Sequence, residues 1–145
     1  MTEIGIAPAI AGFHHFAATV SDIEASADWY ERVFGMGRLS MTFPHHGAEA
    51  AGYAVLLIEP RSGIAIGLHH HDENEGEPFR EYRTGLDHMA IAVPSHAELD
   101  AWVSWLDALG VENSGVVDVT APMPYSVVVL RDPDNIQLEL FCVDR

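Results

Sequence analysis

FHHFAATV at residues 13–20 is answered, 73 residues further on, by LDHMAIAV at residues 86–93. The same offset sets Trp29 on Trp102 and Pro60 on Pro133. EPRSGIAIGL (59–68) aligns with DPDNIQLEL (132–140) once one turn residue is removed. Matches at the start, middle and end of each half identify an internal duplication. The reading is a single domain over 1–145, with one module over 12–71, an acidic connector over 72–84 and a second module over 85–143.

Each module reads as strand, helix and three further strands. His15–Val20 is a short β-prone run; Ser21 and Glu24 then form an S-x-x-E capping box that starts a helix ending near Gly35. Ser95 and Glu98 repeat the box, and Leu99, Trp102, Leu106 and Leu109 give the apolar stripe of a second helix that stops at Gly110. The later strands are expected at 38–43, 52–59 and 63–69, and at 114–119, 125–131 and 135–141. RSG and DPDN are the turn chemistry between the last two of each set. The fold class is α+β, βαβββ twice.

Composition narrows the function. The chain has 145 residues, 48% of them apolar and 20% charged, enough for one well-filled core and too apolar for a disordered chain. Seven basic residues, all arginine, stand against 22 acidic ones for a formal charge of −15. That balance excludes a nucleic-acid binder, which needs cations to neutralise phosphates, and disfavours anionic membranes. The lone Cys142 leaves no disulfide framework, and no secretory signal or membrane-length apolar run is apparent. A cytoplasmic protein acting on a neutral or cationic small molecule is the expectation.

Side chains alternate across a strand, so each strand splits into two faces. Phe16, Ala18 and Val20 suit packing on the first helix, leaving His15, Ala17 and Thr19 opposite. Met89, Ile91 and Val93 do the same in module two, leaving His88; in the last strand Ile136, Leu138 and Leu140 leave Glu139. His15, His88 and Glu139 therefore share the face away from the helices. Two imidazoles and one carboxylate on rigid strands form the facial donor set that suits Fe, Mn, Ni or Zn with positions left for substrate. One inward histidine alone is more often a hydrogen-bonded core residue; the equivalent positions of His15 and His88, and the cost of burying Glu139 without a partner, favour the ligand reading.

These stretches, HHFAATVSDIEASADWYERVFGM, GLDHMAIAV and above all DPDNIQLELF, resemble the vicinal oxygen chelate superfamily, which includes glyoxalase I, extradiol dioxygenases, and fosfomycin and bleomycin resistance proteins. The resemblance spans 12–143. It implies paired modules forming an open, curved mixed-sheet barrel with helices outside, a divalent metal at its centre, and a homodimer. Glyoxalase I takes four ligands, from the first and last strands of each module; His15, His88 and Glu139 match three of them, and the fourth position is Gly67. A three-ligand set resembles extradiol dioxygenases more than glyoxalases, because substrate can occupy two positions and O₂ the third. A fosfomycin-type phosphonate site calls for local cations, and the chain has no lysine.

His69, two residues past Gly67 on the same face, is the candidate acid–base group, and Tyr125 a candidate proton relay if its hydroxyl points inward. His70 and His71 read as a solvated tract, His45 and His46 as exposed loop histidines, and His14 as facing away from His15. Trp29 and Trp102 read as core, and the connector as a solvated linker. The expected function is a divalent-metal-dependent enzyme with dioxygenase-like or glyoxalase-like lyase/isomerase chemistry on a substrate bound by vicinal oxygens. Its rival is a non-catalytic binding protein, like those that confer bleomycin resistance by sequestering a cationic drug.

Overall fold

In a computed structural model that describes residues 5–143, each half folds as strand–helix–strands. Module one contains β1 (Phe16–Thr19), α1 (Ile23–Phe34), β2 (Gly37–Arg38), β3 (Phe43–Pro44), β4 (Gly52–Ile58) and β5 (Ala65–His71). Module two contains β6 (Met89–Ala92), α2 (His96–Ala108), β7 (Val117–Val119), β8 (Tyr125–Arg131) and β9 (Gln137–Cys142). The first sheet runs β1-β5-β4-β2 with β3 also on β4, and the second runs β6-β9-β8-β7. The first strand of each module lies parallel to the last and the other pairs are antiparallel, so both sheets are mixed. This is the expected α+β, two-module fold.

Burial follows the alternation. Ile66 and Leu68 of β5, and Leu138 and Leu140 of β9, are wholly buried beneath the helices, with Tyr30, Val33, Leu99 and Leu106 above them. One apolar core joins both halves. Phe34 meets Trp102 at 5.8 Å between ring centroids, and the Trp105 indole donates to the Val33 carbonyl at 2.9 Å. A second joint is polar. The buried Tyr30 hydroxyl donates to Asp132 at 2.9 Å, and the Ser21 amide and hydroxyl both donate to Asp134.

That joint corrects the capping box. Ser21 is engaged across the module boundary, so Asp22 caps α1, its Oδ1 accepting from the Ala25 amide at 3.0 Å. Glu24 pairs instead with Arg38, which also holds Asp28 and Glu31. In α2 the cap is Ser95, accepting from the Glu98 amide as the sequence suggests. The strand expected over 38–43 is broken in two: Arg38 is drawn down to three carboxylates of α1, and the chain rejoins β4 only at Phe43–Pro44. The strand expected at 114–119 is interrupted where Gly115 takes φ 67°, leaving Val117–Val119 as β7. The connector is more tied than a solvated linker. The Phe79 amide donates to the Asp134 carbonyl, the Asn135 side chain donates to the Phe79 carbonyl, and Glu81 pairs with Arg131. Among the described residues no helix is long and apolar enough to cross a membrane.

Candidate metal centre

The parallel pairing puts Ala17 beside Gly67 in module one and Ala90 beside Glu139 in module two, so Gly67 and Glu139 occupy the same place in the repeat. In module two the donors converge. His88 Nε2 lies 3.5 Å from Glu139 Oε2. Each is oriented by a further group. Asp87 Oδ1 lies 2.7 Å from His88 Nδ1, which turns Nε2 toward Glu139, and Gln137 donates to Glu139 Oε1 at 3.0 Å, which leaves Oε2 open. The Glu139 side chain is only 15% exposed, so its charge sits where a cation would be welcome. This donor set fits a divalent ion.

His15 is not gathered to that pair within one chain. It is exposed, and its Nδ1 lies 2.8 Å from Nδ1 of His14, so the two neighbours touch despite the expected opposition of their faces. The faces on which His15 and His88 stand are open: Ala17 and Thr19 of β1, and Ala90 and Ala92 of β6, are all exposed. A cavity of about 620 Å³ lies where β1, β6 and the connector meet, lined in part by Thr19, Phe79, Leu86 and His88. Tyr125 does turn to the face that carries Glu139. It is half-buried and stacks on Phe141 with ring centroids 4.8 Å apart.

The histidines of module one behave differently from the expectation. β5 runs through His71, so His71 joins His69 on the face that carries Gly67 and is half-buried rather than part of a solvated tract. His70 points the other way, toward Asp72 at 2.9 Å and the Tyr53 ring. His45, expected as an exposed loop residue, follows β3 and is half-buried. Its Nδ1 lies 3.1 Å from that of His69, and its ring centroid lies 4.0 Å from that of His71. Among the described residues, His45, His69 and His71 form the one group of three His, Cys, Asp or Glu residues whose donor atoms all lie within 4.8 Å of one another. Burial holds the His69 imidazole below the ordinary histidine range, helped by His45, His71 and His15. Only the strand register, invisible to local patterning, could have disclosed this group.

Comparison with known proteins agrees with this architecture. The family described as Glyoxalase/Bleomycin resistance protein/Dioxygenase superfamily matches residues 12–140. A glyoxylase/bleomycin resistance protein/dioxygenase domain from Frankia sp. EAN1pec superposes with a TM-score of 0.80 at 26% identity, covering 94% of this chain and 95% of that one. The fosfomycin resistance protein FosX of Listeria monocytogenes, in a complex with Mn(II) and sulfate, shares the fold at a TM-score of 0.62 and 18% identity, over 94% of this chain and 95% of its own. In sequence, the "Putative ring-cleaving dioxygenase MhqA" of Bacillus subtilis (strain 168) is 28% identical over 92 residues. That match takes in 63% of this chain but spans only 28% of the relative's length.

Proposed function

The chain belongs to the glyoxalase/bleomycin resistance protein/dioxygenase superfamily, and from that premise we propose that it is a divalent-metal-dependent enzyme acting on a small substrate through vicinal oxygens, with ring-cleaving dioxygenase chemistry favoured over glyoxalase chemistry. The observation that carries the proposal is the His88–Glu139 pair, each member oriented from behind by Asp87 or Gln137. His15 is the third ligand. Because it stands apart from the pair within one chain, a second copy supplies it, and the working form is a homodimer. The preference for oxygenation rests on Gly67, which leaves the fourth ligand position of an isomerase unfilled, and on the ring-cleaving relative.

A divalent ion held there would supply Lewis-acid polarisation of the substrate oxygens and, as iron or manganese, a centre able to engage O₂. The chain's own residues do the rest. Asp87 keeps the His88 tautomer fixed and Gln137 keeps the Glu139 carboxylate aimed. The stacked Tyr125–Phe141 pair offers a flat aromatic wall on the same face, and the Tyr125 hydroxyl is assigned the proton transfer to or from bound substrate. His69 can share that duty only while its imidazole is free of metal.

Elemental analysis of tag-free protein tests the reading. About one equivalent of Fe or Mn per chain is expected in the wild type, with at least a tenfold lower content in His88→Ala and Glu139→Ala and loss of O₂ uptake on catechols. Protein that stays metal-free after anaerobic Fe(II) reconstitution, yet binds a cationic drug stoichiometrically, would instead establish a binding protein.

A further inference from the structure

We infer that His45, His69 and His71 form a second metal site, a three-imidazole centre for Zn(II) carried by module one alone. The inference does not rest on the His15, His88 and Glu139 assignment, since it uses none of those residues.

The site is built by sheet register. Phe43 pairs with Ala54 and Pro44 with Tyr53, while Gly52 pairs with His71 and Ala54 with His69. Continuing the first ladder by one residue sets His45 beside Gly52, so one row across the sheet reads His45, Gly52, His71. Residue 52 is the middle member, and any side chain there would stand between the two imidazoles. Glycine is also obligatory for a second reason: a Cβ at Gly52 would lie 2.4 Å from the His70 carbonyl oxygen. The outer two rings close over the bare position to 4.0 Å. His69, two residues before His71 on the same face, stands over the next row, where the middle residue is the small Ala54.

The donors suit zinc. Three imidazoles match the ligand set of open zinc centres, with a fourth tetrahedral position left for water or a small anion. Absence of a carboxylate in the group argues against Mg(II) or Ca(II), which take oxygen ligands. Nδ1 of His45 and Nδ1 of His69 face each other at 3.1 Å, where at most one can carry a proton, so a lone pair already points into the group. His69 and His71 both stand on β5, which lies between β1 and β4 in its sheet, so two of the three donors are held in place by the ladder.

The test uses the tag-free, chelator-stripped full chain carrying Glu139→Ala, so that the first centre is disabled. Zn(II) is titrated by calorimetry, and Co(II) by its visible absorption as a reporter of tetrahedral geometry. One Zn(II) per chain is expected, weakened at least about tenfold by adding His45→Gln or His71→Gln and unchanged by His70→Ala. Circular dichroism of each variant confirms that it is folded, and His45, lying outside the strands, gives the variant least able to disturb the sheet. Binding indifferent to both His45 and His71, or lost equally with His70, overturns the proposal by revealing a nonspecific histidine tract. Failure of the first centre would show separately, as wild-type metal content insensitive to Glu139→Ala.

Discussion

At the scale of single residues, Gly67 stands in module one where module two carries Glu139. Its backbone φ is ordinary, and a Cβ built there would meet Ala17 Cβ at 3.5 Å, a normal contact, so the glycine is not demanded by local geometry. Gly67→Glu is therefore expected to fold and to place a carboxylate at the repeat equivalent of Glu139. Metal affinity should rise by at least about tenfold while O₂ consumption falls, because a position needed by substrate or O₂ is filled. Competition with a chromogenic chelator, run beside an oxygen electrode, checks both halves; unaltered affinity would place Gly67 outside the coordination sphere. Asp132 shows the other use of an acidic residue. Burial pushes its carboxyl above the usual range, opposed by the Ile136 amide and the Tyr30 hydroxyl, and its task is to seat one module on the other.

Among the elements, the β4–β5 hairpin turn has its own acid-sensitive fastening. Glu59 accepts from the Ser62 hydroxyl, from Arg61 and from the Ser62 amide, and these hold its carboxyl down at about 2. A folded value below the ordinary 4.5 means the native state binds fewer protons than the unfolded one. The contribution is thus complete above about pH 4.5 and is lost as the pH falls toward 2. Glu59→Gln should lower the urea midpoint at pH 6, and the gap from wild type should narrow steadily from pH 4.5 downward; a gap independent of pH would mean that Glu59 acts through shape alone. Elements also mark how far the sequence could be read. Both helices, the repeat, the strand that follows His88 and the strand that carries Glu139 were legible, because each rests on local periodicity reinforced by the second copy. The cap at Asp22 was not, since nothing local shows that Ser21 is claimed by Asp134, 113 residues away. Nor was the role of His45, which depends on how β3 registers on β4.

For the whole molecule, the exposed faces of β1 and β6 and the separation of His15 from His88 make the assembly of two copies the central expectation. Two-fold symmetry gives a direct test. His15→Ala and His88→Ala homodimers should each lack metal and activity. After subunit exchange, about half the dimers are mixed, and each mixed dimer has one intact site and one doubly damaged site, restoring about a quarter of wild-type capacity. No recovery after verified exchange would return all three ligands to one chain. The joint between the modules carries a consequence of another kind. The Asp132–Asn135 turn grips α1 of the other half and the connector at once, whereas its counterpart at Glu59–Gly63 is fastened chiefly to itself. Built to one pattern, the halves are not spare parts for each other: a chain with their order transposed would have to invent a new hinge-pin before it could rebuild anything else.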